Sequence, residues 1–559
     1  MSGLNLLVFR GDQRRVSGQE LKAALTAQLE QLCGHCSLDR LLVALLRAGE
    51  LECGVADGRS VTAHDFEWVT DHIAEVLVAG ASTQAIQHPD IRKNDFQRLL
   101  KAAQALPGLK QLSVSTPEGF AYYALHPSAY ADILREIPAC ENLLVVGIRS
   151  IGTTLSAVAA AAARARGIHA ERITVRPQGH PYDRSAEFTI EQMAAIRKAV
   201  SCGASFAVVD EGPGLSGSSF LAVAEALERA GAPAEKIVLL SSHAPNVDAL
   251  CATDAARRWQ RFRCVCVAME VRRPADAVEY IGGGQWRARL IANESEWPAS
   301  WTSFERLKYL SSAERDELRI FKFAGLGHYG DVVLEREQKV AAAGFGLMPR
   351  AESDGFVSYP QIDGRPLSAS DLSADIMVRL AEYCAFRLRA FAIELSDLKA
   401  LQQMAVHNLH ELGVDLAVEL SPEYPVIADG KMQPHEWLLS GEGKLLKTDS
   451  GSHGDDHFFP GPTDIAWDLA GAIVEWEMNE EQMTEFLDLY RRASGDDARC
   501  RIDDFIKTYA AFRSAYCLMA ANAMSGSDEQ PRSQRAATNY RAILAKIHRR
   551  SMIALQANR

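Results

Sequence analysis

The chain has 559 residues, 47% hydrophobic and 24% charged, with 60 basic against 72 acidic side chains and a formal charge of −12. This length predicts two to four domains. The acidic balance argues against nonspecific nucleic-acid binding, although a local basic patch stays open. The eleven cysteines are odd in number and irregularly spaced. Cys33-Gly-His-Cys36 stands without a second pair, so no zinc site is expected, and free thiols suggest a reducing cytoplasm. No basic segment followed by an apolar run opens the chain, and the Ala-rich stretch 155–165 is too short to span a bilayer. A cytoplasmic protein acting on small molecules away from membranes is expected, with homo-oligomerisation left open.

Residues 1–110 read as a helical region. Leu21 to Leu32 and Leu41 to Leu46 have helical apolar spacing, and Asp65 to Val78 predicts another helix. His35 and His64 read as surface or capping residues. From about 111 to 290 strands alternate with helices. Strands are predicted at Leu143–Ile148, Arg172–Arg176, Phe206–Val209, Lys236–Leu240 and Arg263–Met269. Helices are predicted from Thr154 to about Arg166 and over 190–201, 218–230 and 247–261. Such alternation implies a parallel sheet with right-handed crossovers. Its ligands gather at the strands' carboxyl ends, where Arg149, Arg176 and Asp210 fall. Cys264 and Cys266 alternate in an apolar run, as buried strand residues do. The Trp-rich stretch 285–303 reads as a seam. Beyond it comes a short strand-rich region, then a long helical one.

The run Phe206-Ala-Val-Val-Asp-Glu-Gly-Pro-Gly-Leu-Ser-Gly-Ser-Ser-Phe220 is an apolar strand ending in paired acids, a glycine-rich turn and hydroxyl residues opening a helix. Amides at a helix N-terminus suit a phosphate. The segment resembles the ribose-phosphate loop of type I phosphoribosyltransferases, which use phosphoribosyl pyrophosphate (PRPP), with one residue more between the acids and Ser216. The resemblance implies that Asp210 and Glu211 bind the ribose hydroxyls. Ser216, Gly217, Ser218 and Ser219 would hold the 5′-phosphate. Gly147-Ile-Arg-Ser-Ile-Gly-Thr-Thr154 resembles the pyrophosphate loop, with Arg149 as charged donor and Gly152, Thr153 and Thr154 wrapping the ligand. Arg176 to Arg184 stands where the family carries a flap, so Arg176, His180 and Arg184 would close on pyrophosphate. Mg²⁺ would bridge pyrophosphate and ribose oxygens. Thr116–Pro127, with three aromatics, reads as core packing or as a hood over the acceptor base.

Residues 304–559 resemble, more faintly, the aminoglycoside phosphotransferase and choline kinase group. Phe345–Pro349 and Gly355–Leu367 are similar to the path from small lobe through hinge. Asp429–Trp437 resembles the catalytic loop, Lys447-Thr-Asp449 the metal-binding strand end, and Thr463–Ala470 the structural Asp motif. Glu436 precedes Asp449 by thirteen residues, the family's spacing, so the resemblance implies Glu436 and Asp449 as the Mg²⁺ pair. The position of the catalytic acid holds Lys431, leaving Asp429 as the alternative base. Lys322 would meet the nucleotide phosphates, with Glu335 or Glu337 as ion-pair partner. The glycines of Gly325–Gly330 follow the lysine strand, whereas the family's precede it. His453-Gly-Asp-Asp-His457 reads as a solvated loop.

The expected architecture is an α/β protein. A parallel-sheet, phosphoribosyltransferase-like domain (111–290) carries a helical N-terminal extension (1–110), and an α+β, two-lobed kinase-like domain (304–559) follows. The expected function is PRPP-dependent phosphoribosyl transfer to a base-like acceptor, with ATP-dependent phosphorylation of a small molecule in the second half. The alternatives are a PRPP- and nucleotide-binding regulator whose kinase-like half is silent, and a scaffold whose helical N-terminus docks partners.

Overall fold

The computed structural model describes residues 4–11, 13–58, 63–82, 89–214, 216–266, 271–312 and 317–557. The protein is a mixed α/β chain forming two units. One comprises Asp12–Arg273 with Gly325–Tyr329, the other Met1–Gly11, Pro274–Ala324 and Gly330–Arg559.

The first, parallel-sheet unit opens with β1 (Gln13–Ser17), α1 (Gly18–Gly34), α2 (Leu38–Gly58), α3 (His64–Ser82), α4 (Pro89–Ala105) and β2 (Gln111–Ser115). Short helices α5 (Glu118–Ala121) and α6 (Ala129–Asp132) lead to β3 (Asn142–Ile148), α7 (Ile151–Ala165) and β4 (His169–Val175). A hairpin of β5 (Gln178–His180) and β6 (Asp183–Ser185) follows, then α8 (Ile190–Ser201), β7 (Ser205–Val209), α9 (Ser218–Arg229), β8 (Ile237–Ser241), α10 (Ala255–Trp259) and β9 (Arg263–Cys266). The sheet order is β4-β3-β7-β8-β9, all parallel. Its strand order reverses between β3 and β7, which is where ligand crevices form in such sheets.

The central strands are buried on both faces, which is why they read as continuous apolar runs. One face carries α8 and α9 around Phe206, Val208, Phe220 and Leu239. On α7 every residue from Ile151 to Ala163 is buried, as a helix apolar all round requires. It packs against both the sheet and α2 and α3. The described elements β1, α1–α4 and β2 therefore belong to this unit. Its ion network is buried too: Arg172 of β4 reaches Glu52 of α2 at 2.8 Å and Asp71 of α3 at 2.6 Å.

Two expectations are corrected. The helix predicted over 247–261 is a 3₁₀ turn at Val247–Ala249 followed by α10, because Asp254 takes a left-handed conformation (φ 52°) between them. Cys264 and Cys266 lie on the edge strand β9 and are only half-buried. Positions 267–269 of the predicted fifth strand lie outside the described residues.

The antiparallel-sheet unit holds β10 (Ala277–Tyr280), α11 (Arg287–Leu290), β11 (Lys308–Ser311), β12 (Arg319–Phe323), α12 (His328–Ala342), β13 (Arg350–Ala351) and β14 (Phe356–Pro360). Its sheet runs β10-β11-β12-β14-β13. Next come β15 (Gly364–Pro366), α13 (Ala374–Ala390), α14 (Lys399–Glu411), β16 (Pro425–Ile427), β17 (Trp437–Ser440), β18 (Leu445–Lys447) and β19 (Pro462–Asp464). Helices α15 (Ala466–Glu475), α16 (Glu480–Ser494), α17 (Ile502–Ala523) and α18 (Glu529–Ala557) close the chain. Trp437, Trp467, Tyr490 and Phe505 centre their core. The N-terminal segment joins it through Leu6 and Val8, fixed by Asn408, which accepts from Leu7 N–H at 2.8 Å and donates to its carbonyl at 2.7 Å. Among the described residues no helix is long and apolar enough to cross a membrane.

Candidate functional site

In the parallel-sheet unit, the turns after β3 and β7 meet. A Cβ on Gly152 would lie 2.6 Å from Val209 O and 3.6 Å from the Asp210 carboxylate, so only glycine lets the start of α7 come this close to the acids. Ser150 (φ 108°) gives the β3 turn a backbone conformation rare for a side-chain-bearing residue. Glu211 accepts from Gly119 N–H at 2.8 Å, and a Cβ at Gly119 would strike its carboxylate. Tyr130 donates its hydroxyl to Asp210 O at 2.5 Å. In the 116–127 segment Phe120 and Tyr122 are core residues.

Two cations of this site, Arg149 and Arg176, are already engaged. Arg149 donates to Asp57 at 3.2 Å, Ala56 O at 3.1 Å and Thr174 O at 3.1 Å. Arg176 donates to the same Asp57 at 2.5 and 3.0 Å. Asp57, at the end of α2, clamps both arginines, and no motif in the sequence marked it. Thr153 and Thr154 are buried, with Thr154 against Gly49 of α2. Ser216 and Ser218 both donate their hydroxyls to Pro181 O, at 2.7 and 2.5 Å, so the β5–β6 hairpin covers them. Gly217 takes the left-handed conformation at the start of α9, Ser219 is half-buried and His180 exposed. Leu215 of this loop lies outside the described residues.

Burial pushes the Asp210 carboxyl up to about 7, with Arg176 and Arg184 opposing. Burial, with the Asp210 charge, pushes Glu211 up to about 8. The folded unit thus keeps protons that the unfolded chain releases. The stability from these groups is complete below the ordinary carboxyl range, about pH 4, and is lost as pH rises toward about 8. Glu211→Gln, permanently neutral, should therefore gain in melting temperature relative to wild type between about pH 5 and about pH 8. A wild-type-minus-variant difference that stays constant over that range contradicts the assignment.

The antiparallel-sheet unit contains a cavity of about 360 Å³ lined by Lys308, Lys322, Glu337, Glu436, Lys447 and Asp449, with an apolar wall that includes Trp286 and Leu347. Lys322, on β12, is buried and touches Asp449, and donates to Ser452 Oγ at 2.9 Å. Glu337 is buried on α12 and accepts from Ser450 Oγ and Gly451 N–H, both at 2.7 Å, so it holds the turn after Asp449. Glu335 is instead paired with Lys339 on the helix surface. Burial lowers the Lys322 pKa; Glu337 opposes the fall, and Arg306, Lys308 and Lys431 add to it.

The segment from Asp429 is tied to α15. Asp468 accepts from Asp429 N–H at 2.8 Å and Gly430 N–H at 3.0 Å. Asp429 itself is fully buried. Its carboxylate takes the Tyr383 hydroxyl and the Lys431 N–H, with Lys447 at 3.3 Å and Arg387 at 3.6 Å, and it is not among the residues lining the cavity. Tyr383 and Arg387, both on α13, are partners of Asp429 that the sequence did not mark. Gly325–Tyr329 counts with the parallel-sheet unit, where Leu326 N–H donates to Phe120 O at 2.8 Å. The 453–457 loop, expected to be solvated, is half-buried and ion-paired: His453 lies 3.0 Å from Asp449, and Arg336 holds Asp455 through two 2.9 Å bonds.

Glu436 and Asp449 are the oxygen donors a hard cation takes, yet each already faces ammonium groups. Lys322 and Lys308 stand at Asp449. Burial would raise the Glu436 pKa, but Lys447, Lys431, His435 and Lys308 hold it below the carboxylate range. Among the described residues no three His, Cys, Asp or Glu gather as a metal site. A cation bound at Asp449 would have to displace the two ammonium groups that stand there.

No protein-family model and no curated protein matches the chain. Among solved structures it is similar to choline kinase from Streptococcus pneumoniae, with 17% identity, 42% of this chain and 89% of that one covered, and a TM-score of 0.28. For a choline/ethanolamine kinase family protein from Mesorhizobium loti the values are 14%, 46%, 94% and 0.31. For a macrolide 2′-phosphotransferase from Brachybacterium faecium they are 14%, 45%, 96% and 0.30. At these scores the likenesses carry no part of the functional reading, which rests on the side chains.

Proposed function

We propose that the antiparallel-sheet unit is a kinase-like cleft that binds a nucleoside triphosphate such as ATP and transfers its phosphate slowly or not at all. One observation carries the reading. Lys322, Glu337, Glu436 and Asp449, drawn from four separate stretches of sequence, line a single cavity. Its apolar wall suits a base and its lysines suit phosphates. Transfer is slow because Lys431 stands where an acid would act and Asp429 is enclosed by four partners. Lack of a general base costs about 10²- to 10⁴-fold. Mixing full-length protein with labelled ATP and following phosphate release tests this. ATP is expected to bind with turnover near the uncatalysed background. Turnover typical of kinases, about 1–100 s⁻¹, would refute the slow-transfer half.

For the parallel-sheet unit we propose a PRPP-type sugar-phosphate site at Asp210 and Glu211. The contact between Gly152 and the Asp210 turn at the strand-order reversal favours it. Ligand entry then requires the β5–β6 hairpin to release Ser216 and Ser218, and Arg149 or Arg176 to turn from Asp57. Catalysis would come from positioning and from stabilising the leaving pyrophosphate.

A further inference from the structure

His435 is a nucleophile of the cleft that slow transfer to a separate acceptor leaves unused. The 3₁₀ turn Pro434–Glu436, closed by Glu436 N–H donating to Gln433 O at 3.0 Å, brings His435 and Glu436 into the wall of the cavity that Lys308, Lys322 and Lys447 also line. The imidazole stacks on Trp286 of the same wall, with ring centroids 6.0 Å apart and planes 22° from parallel. Glu436 Oε1 stands 4.0 Å from Nε2, and among the described residues neither ring nitrogen makes a hydrogen bond. Burial holds the imidazole neutral, with its pKa pushed down to about 4, so one ring nitrogen keeps an open lone pair at neutral pH. The hydroxyl and amine groups beside it are engaged. Thr448 donates its hydroxyl to Glu436 O at 3.0 Å, Lys308 lies 2.9 Å from Glu305, Lys322 touches Asp449, and Lys447 lies 3.3 Å from Asp429. Burial raises the Tyr359 hydroxyl well above its ordinary range, so it stays protonated.

We propose that His435 takes the γ-phosphate of the nucleoside triphosphate bound in this cleft, so that the chain phosphorylates itself. The imidazole lone pair attacks the γ-phosphorus, and the bond from that phosphorus to the bridging oxygen breaks. The nucleoside diphosphate leaves with that bond's electrons, and the proton on the other ring nitrogen passes to water. The Glu436 carboxylate stabilises the imidazolium charge that forms during attack. No general base is needed, because a neutral imidazole attacks through a lone pair that carries no proton. The event occurs once per chain, which agrees with slow net turnover. The inference rests on the nucleotide-binding reading and adds the phosphate acceptor to it.

Incubating the full chain with ATP labelled at the γ-phosphate, in buffer containing Mg²⁺, tests it, with ATP binding followed in parallel by calorimetry. Labelling should approach about one phosphate per chain. The label should survive alkali and be lost in acid, where protonation of the ring makes the P–N bond cleave. In a tryptic digest it should sit on residues 432–444, whose only histidine is His435. His435→Gln should lose the label at least about tenfold. Should its melting temperature show that it does not fold, the wild-type digest decides alone. A wild type that binds ATP but takes no label, a label that survives acid or is lost in alkali, a label on another segment, or full labelling of folded His435→Gln each overturns the inference while leaving nucleotide binding intact. No ATP binding overturns the nucleotide reading itself, and this inference with it.

Discussion

Glu52→Ala should lower the stability of the parallel-sheet unit by about 3–5 kcal/mol. Glu52 is fully enclosed and its partner Arg172 is 2% exposed, joined by two bonds of 2.8 and 3.0 Å. Burial works against the Arg172 charge, but Asp71 and Glu52 outweigh it and hold the guanidinium ionised. Removing Glu52 leaves that cation with the Asp71 carboxylate and two long bonds to the Thr153 and Glu67 carbonyls, and opens space between α2 and the sheet. For a unit of this size the loss corresponds to roughly 6–20 °C in melting temperature. Glu52→Gln, which keeps a hydrogen-bond acceptor, should lose less. A calorimetric scan resolving the two units checks both. A shift for Glu52→Ala below about 2 °C would mean that this pair does not hold α2 to the sheet.

Asp210→Asn should lower pyrophosphate release from PRPP at least about tenfold at pH 8, on the scale of losing one preorganised electrostatic group. Asp210 titrates near 7, so at pH 8 the wild type carries the charge that would meet a cationic ribosyl centre, and the variant never does. Near pH 6 the wild-type carboxyl is itself mostly protonated, and the gap between the two proteins should narrow. A merely structural role would give a loss independent of pH. If wild-type protein, offered PRPP, Mg²⁺ and a panel of bases, releases no pyrophosphate at any pH, the sugar-phosphate reading of this unit fails.

The parallel sheet was readable because its strands are buried on both faces. Leu143–Ile148, Phe206–Val209 and Ile237–Leu240 are therefore unbroken apolar runs. The pair β1–β2 was not readable. Gln13–Ser17 is short and polar and meets Gln111–Ser115 only through tertiary pairing. The short helices after β8 were overestimated because apolar spacing does not reveal the left-handed Asp254. At the cleft, the spacing of Glu436 and Asp449 predicts a Mg²⁺ pair, and the two residues line one cavity. What closes around them did not announce itself. A half-buried Lys308 or a buried Arg387 looks in sequence like any surface cation, and Asp57 clamps Arg149 and Arg176 from 92 and 119 residues away.

The account turns on the claim that the lysine-lined cavity of the antiparallel-sheet unit is built for a nucleotide. Isothermal titration of the wild-type chain with ATP, beside Lys322→Met, addresses it directly. The expected result is one binding event per chain in the wild type, weakened at least about tenfold (about 1.4 kcal/mol) in the variant. Absence of binding heat in a folded wild-type protein, or equal affinity in the two proteins, would contradict it.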